Sequence, residues 1–213
     1  MIGFYDYTVI ATYFSLASSA VGIYFAFTGK PLFAIFCLML SGFLDLFDGK
    51  IARTKKNRTA DERRFGIQLD SLCDIICFGV LPTVIGYSIG LAEYPVCLFI
   101  MSLFPLCALI RLAFFNVTEE TRQEQTTEVR KYFTGLPVTT VSFILPMIYC
   151  LKPFIDKIGD KVFMIVYVVA LAIIAILFIS PIKIKKPQKT GSVILIIIGV
   201  ATFALLIWQA VKK

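Results

Sequence analysis

Four aspartates stand in two closely spaced pairs, Asp45 with Asp48 and Asp70 with Asp74, within stretches that are otherwise apolar enough to lie in a membrane. A carboxylate at the centre of a bilayer costs roughly 2.5–3.5 kcal/mol even on the most lenient insertion scale. Four such groups facing lipid would be hard to tolerate. The pattern therefore predicts that they face one another inside a helical bundle and share a compensating cation. The spacing agrees: Asp45 and Asp48 are i and i+3 on one helical face, and Gly66, Asp70 and Asp74 step by four along one stripe. Counting from Arg53 and Phe65 as boundary residues at about 1.5 Å per residue, Asp45 lies roughly 12 Å deep and Asp48 roughly 8 Å. By the same measure Asp70 lies roughly 8 Å deep and Asp74 roughly 13 Å.

The chain has no histidine, and thiolates are poor partners for hard ions. Carboxylate-only ligation suits Mg²⁺, Mn²⁺ or Ca²⁺. Four acids can hold two such ions about 3.5–4 Å apart, an arrangement that clamps phosphate oxygens during a displacement. Gly49 and Gly66 flank the acids and leave room for a bulky phosphorylated ligand near the backbone, and Ala52 continues that small face. Two other readings stand beside this one. Single buried aspartates and glycines can serve helix packing alone, and cation transporters also line their paths with acids.

The elements that must carry these residues are membrane spans. Of 213 residues, 58% are hydrophobic and 16% charged, which excludes a soluble globule, a disordered chain and a disulfide scaffold. Runs long enough to cross a bilayer fall at about 8–27, 32–53, 64–90, 94–117, 136–155, 161–181 and 191–211. The expected fold is an all-α polytopic bundle of about seven spans, six to eight, forming one catalytic domain over 1–213. Pro137, Pro146 and Pro153 interrupt the fifth run. Thr59-Ala-Asp-Glu62 has the form of a capping box and predicts that the third helix starts near residue 60. The loops after the second, fourth and sixth spans hold fourteen basic residues, which puts them and the N-terminus in the cytoplasm. The net charge of +7 is mostly this topology signal, with some attraction to anionic membrane lipids, and no soluble domain exists to carry nucleic acid. MIGFYDY lacks the basic region of a cleavable signal peptide, so the first span is expected to be retained. Tyr5, Tyr7, Tyr94 and Trp208 fall near span ends as interfacial anchors, and the six cysteines fall inside spans as small packing residues.

At the acids the sequence resembles the CDP-alcohol phosphotransferase family, whose signature reads D-x2-D-G-x2-A-R-x8-G-x3-D-x3-D. Asp45, Asp48, Gly49, Ala52, Arg53, Gly66, Asp70 and Asp74 match it, with twelve residues instead of eight between Arg53 and Gly66. The resemblance implies transfer of a phosphatidyl-type group from a CDP-activated lipid to an alcohol, with release of CMP. It further implies that Asp45, Asp48 and Asp70 are the principal ligands of two divalent cations, Mg²⁺ or Mn²⁺. Asp74 would be the general base and also touch a metal, while Gly49, Ala52, Arg53 and Gly66 would form the nucleotide and diphosphate surface. Further stretches, FGIQLDSLCDIICFGVLP (65–82), RLAFFNV (111–117) and YFTGLPV (132–138), are similar to the phosphatidylserine synthase branch and imply L-serine as acceptor.

A serine carboxylate wants an arginine. Arg111, a lone cation inside the fourth span, is expected to contact that carboxylate or the lipid diphosphate, or else to hold two helices together by an ion pair. Asn116, Arg130 and Lys131 are further candidates on the acceptor side. The polar segment 118–134 reads either as a lid over the acceptor or as a solvated loop. Acceptors such as glycerol phosphate or inositol phosphate would call for a denser basic cluster than Arg111 provides. A divalent-cation transporter would spread its acids through several spans, yet the first, sixth and seventh carry almost no ionisable groups. Small residues on several spans permit a homodimer.

Overall fold

The structure is a computed structural model describing residues 3–4, 7–52, 54–55, 57, 59–125, 132–185 and 189–212, without the side chains of 123–125, 160 and 189–194. In hydrocarbon, backbone N–H and C=O groups find partners only within their own segment, so the apolar runs fold as helices. These are α1 (Ile10–Phe27), α2 (Pro31–Ala52), α3 (Ala60–Asp74), α4 (Leu81–Ser88) and α5 (Pro95–Gln125) in the first part of the chain. α6 (Val141–Cys150), the short α7 (Lys152–Ile155), α8 (Asp160–Ile179) and α9 (Lys189–Val211) follow. Six helical stretches are long and apolar enough to span a membrane, and Leu195–Val211 of α9 adds a shorter apolar one. The protein is an integral membrane protein with an all-α polytopic architecture.

Local chemistry sets the boundaries that matter for the aspartates. Thr59 caps α3: its hydroxyl accepts from the Glu62 N–H at 3.1 Å, and the Glu62 carboxylate accepts from the Thr59 N–H at 2.9 Å. Lys55 pairs with the same Glu62 at 3.0 Å. The helix therefore begins six residues before Gly66. Directly after Asp74 the helix widens into a π-helical turn, Ile75–Val80, before resuming as α4. Pro82 accounts for the change: it has no N–H to give, and its ring crowds the preceding turn. The Pro82 carbonyl in turn accepts from the Tyr167 hydroxyl of α8 at 3.0 Å. Pro105 deprives the Met101 carbonyl of its helical donor in the same way, and the Thr83 hydroxyl donates to that carbonyl at 3.4 Å.

Helices α1 and α2 pack along their lengths through small hydroxyl residues. Ser18 donates to the Cys37 carbonyl at 3.0 Å, Ser41 donates to the Ser15 carbonyl at 3.0 Å, and the Ser19 and Ser41 hydroxyls meet at 2.8 Å. Apolar side chains of α2, α4, α5 and α8, among them Leu38, Leu81, Phe104 and Leu171, fill the centre.

Two features depart from the expected plan. The fourth span was expected to end near 117, with 118–134 as a lid or loop, but α5 continues to Gln125. Its extension is held by Arg122 against Glu119 at 2.6 Å and by Arg64 of α3 near Glu120 at 3.5 Å. The all-α plan also gains a small antiparallel ribbon, β1 (Tyr132–Thr134) with β2 (Lys183–Lys185), in the register Tyr132–Lys185, Phe133–Ile184 and Thr134–Lys183. The ribbon ends at Gly135 (φ +75°), whose N–H donates to the Ile182 carbonyl at 2.9 Å.

A Cβ at Gly135 would lie 2.6 Å from the Phe178 carbonyl, and one at Gly42 would lie 2.0 Å from the Ser142 hydroxyl, whereas one at Gly49 meets nothing within 4 Å. Gly135→Ala is therefore expected to cost about 2 kcal/mol, a Tm lowered by roughly 4–8 °C in detergent thermal unfolding. Gly42→Val should show a loss of similar size, about 1–3 kcal/mol, and Gly49→Ala should leave Tm unchanged.

Candidate active site

Consecutive antiparallel helices, the end of α2 and the start of α3, bring the two acid pairs together. One carboxylate oxygen from each of Asp45, Asp70 and Asp74 lies within 4.8 Å of the others, and the Asp48 carboxyl stands beside that of Asp70. Asp70 thus belongs to both groupings. Asp48 and Asp70 stand beside each other, and Asp45 and Asp74 join Asp70 in the three-acid cluster. Asp74 is 8% exposed, and the other three are half-buried. A contact between two carboxyl groups holds a shared proton or gives way to a cation, because like charges at this separation in a membrane interior repel strongly.

The donor set fits a hard divalent cation. It consists of carboxylate oxygens from three side chains within reach of one point, with a fourth carboxyl beside them. Small residues leave the approach open. Gly49, whose N–H faces the Asp48 carboxylate, is exposed, and Ala52 and Gly66 are half-buried. Arg53, expected in the same surface, lies outside the described residues.

Below the acids lies a layer of weakly polar groups that the sequence analysis assigned to packing. The Cys73 and Cys77 sulfurs are 3.5 Å apart, Cys73 donates to the Thr12 carbonyl at 3.3 Å, and Cys77 lies 3.5 Å from the Ser15 hydroxyl. Cys77 is also within electrostatic reach of Asp45 and Asp74. The i, i+3 and i+4 spacing of Ser15, Ser18 and Ser19 was the available signal that α1 contributes a wall here.

The N-terminal segment is a second unforeseen wall. The Tyr7 hydroxyl meets the Thr54 hydroxyl at 3.1 Å, and the Phe4 and Phe65 rings pack edge to face at 5.6 Å. Thr54 and Phe65 are the chain neighbours of Arg53 and Gly66, so Tyr7 does more than anchor a span end.

Of the acceptor-side candidates, Arg111 is 5% exposed. Its Nε donates to the Leu136 carbonyl at 3.0 Å and its guanidinium stacks on Phe115 at 5.0 Å. It therefore braces the Gly135–Pro137 segment against α5. Asn116 donates to the Ser71 hydroxyl at 2.8 Å, linking α5 to α3 between Asp70 and Asp74. Arg130 and Lys131 lie outside the described residues.

The model of the CDP-alcohol phosphatidyltransferase family matches residues 8–176, the stretch that contains every one of these groups except Tyr7 and Phe4. The chain belongs to that family. Among CDP-alcohol phosphatidyltransferases it is similar to the CDP-diacylglycerol–serine O-phosphatidyltransferase of Saccharomyces cerevisiae, 39% identical over 153 residues covering 69% of this chain and 54% of the yeast protein. The protein of the same name from Mycobacterium leprae is 34% identical over 126 residues, 59% of this chain and 40% of its own. The archaetidylserine synthase of Methanothermobacter thermautotrophicus is 28% identical over 176 residues, 83% of this chain and 68% of its own. The chain spans about half the length of the yeast and mycobacterial relatives.

Because Asp70 touches both acid groupings, Asp70→Asn should weaken Mn²⁺ binding by on the order of 10-fold or more, measured by calorimetric titration of the purified chain without substrates. Asn116→Ala, which leaves all four acids in place, should bind Mn²⁺ as the wild type does.

Proposed function

We propose that this chain transfers the phosphatidyl or archaetidyl group of a CDP-activated lipid to L-serine, releasing CMP. The observation that carries the reading is the convergence of Asp45, Asp48, Asp70 and Asp74 at one place inside the bundle. Membership of a CDP-alcohol phosphatidyltransferase family and the serine acceptors in the names of the yeast, mycobacterial and archaeal relatives support it.

In this reading Asp45, Asp48, Asp70 and Asp74 hold two divalent cations, Mg²⁺ or Mn²⁺. When bound, these ions supply positive charge to the diphosphate oxygens and to the CMP leaving group. Gly49, Ala52, Arg53 and Gly66 receive the nucleotide and diphosphate, with the open backbone at Gly49 supporting that role. Asp74, the most buried acid of the four, takes the proton of the serine hydroxyl as that oxygen attacks the lipid-linked phosphorus. The hydroxyl oxygen forms a bond to phosphorus while the bond to the CMP oxygen breaks, so no covalent enzyme intermediate is required. Arg111, Asn116, Arg130 and Lys131 belong to the acceptor side, with Arg111 placing the Leu136 segment against α5 and offering its charge to the serine carboxylate.

The whole of 1–213 acts as one catalytic unit in this reading. The fourteen basic residues in and beside alternate loops support acids near the cytoplasmic face, with the N-terminus on the same side. The substrates are the CDP-lipid from the membrane and serine from the cytoplasm.

Purified chain given a CDP-lipid, Mn²⁺ or Mg²⁺ and labelled serine should form labelled lipid and release CMP. Absence of turnover with serine and with glycerol phosphate or inositol phosphate would reject the enzyme. Asp74→Asn should lower kcat by at least about 10²-fold while CDP-lipid still binds; an active variant would remove Asp74 as base. Arg111→Ala should raise KM for serine more than KM for the CDP-lipid. Arg111→Lys, which keeps the charge but not the planar fork, should recover only part of that loss.

A further inference from the structure

Where the 91–93 turn meets the starts of α5 and α8, away from the aspartates, the bundle has a half-open pocket of about 410 Å³. Leu91, Pro95, Val96, Met164, Ile165 and Val168 supply its apolar wall. Tyr94 and Lys161 stand at its lining as the amphipathic members, with the Lys161 ammonium 5.9 Å from the centre of the Tyr94 ring. Among the described residues no carboxylate lies within ion-pair distance of Lys161, whereas Lys152, on the same side of the bundle, is paired with Asp156 at 2.7 Å.

We propose that this cavity binds one anionic phospholipid, with part of an acyl chain against the apolar wall and the headgroup phosphate at Lys161. A volume walled by carbon offers water too few partners, so within a bilayer it is filled by hydrocarbon. An aromatic ring and a long cationic side chain at the rim belong at the headgroup level, where Tyr sits at the interface and Lys extends its ammonium towards water. The Lys161 ammonium there complements a phosphodiester. The net charge of the headgroup decides affinity: a zwitterionic lipid brings its own ammonium to the rim, and an anionic lipid does not. A second copy of the chain fits less well, since a symmetric contact on this face brings two Lys161 side chains together. This site stands apart from the aspartates and does not depend on what they catalyse.

The test uses the full chain in neutral maltoside micelles, without metal or CDP-lipid, titrated with phosphatidylglycerol or with phosphatidylcholine of the same acyl chains. Native mass spectrometry counts retained lipid, and thermal unfolding reports its effect. Wild-type protein should retain one phosphatidylglycerol in preference to phosphatidylcholine, with Tm raised by about 5 °C at saturation. Lys161→Gln should lose the preference while keeping its Tm in lipid-free micelles, and Ile165→Trp, which fills the cavity, should lose retention of both lipids. Equal retention of the two lipids by the wild type would overturn the proposal, as would an undiminished preference in Lys161→Gln. So would stabilisation that tracks protein concentration with no lipid retained, which would assign the face to contact between copies. Should Ile165→Trp not fold, the wild type and Lys161→Gln still decide.

Discussion

The acid-bearing end of this bundle is shaped by placing four carboxyl groups together where water is scarce. In a medium of low dielectric, like charges within a few ångströms of one another are tolerated only with positive charge or protons among them. The surrounding elements make that crowding possible. A capping box fixes where α3 begins, α2 ends just beyond its own pair, and the approach of the two helices brings the two acid pairs together. The polar neighbours beneath, Ser15, Ser41, Cys73 and Cys77, hydrogen-bond one another and the backbone.

The prolines show how the backbone around the site stays satisfied in hydrocarbon. A proline inside a helix frees a carbonyl one turn earlier, and in a membrane that carbonyl must find another donor. The Thr83 hydroxyl reaches the carbonyl that Pro105 leaves open, and α4 is thereby tied to the middle of α5. The π-helical turn between α3 and α4 shifts the phase of the helix just after Asp74, so the acid-bearing face and the apolar face that follows need not be continuous. Wide turns of this kind recur at functional positions for that reason.

Much of this was legible in the sequence because spacing alone carries it. The i, i+3 step of Asp45 and Asp48, the four-residue step from Gly66 to Asp74 and the Thr59–Glu62 cap each predict a local geometry that holds whatever surrounds them. Hydropathy sufficed for the spans. What escaped was decided by contacts between distant segments. Tyr7 looks like any interfacial tyrosine until it is found against Thr54, 47 residues away. The β1–β2 ribbon joins residues about fifty apart and has no alternating pattern long enough to announce a strand. Thr118–Gln125 is polar, so hydropathy ended the fourth span there, yet the Glu119–Arg122 pair and Glu120 beside Arg64 sustain the helix in water. Arg111 was visible as a buried cation; that it spends its Nε on a backbone carbonyl was not.

That long α5 has a mechanical consequence. Its 31 residues extend about 46 Å, some 16 Å more than the hydrocarbon layer is thick. The surplus emerges on the side where Arg64 and the acid-bearing helix begin, as a stiff charged mast rather than a slack tether. Any tilt of this rod is levered: a small angular change among the lipid tails becomes a much larger sweep of its tip, and Arg111 and Asn116 lie on the stretch between its middle and that tip.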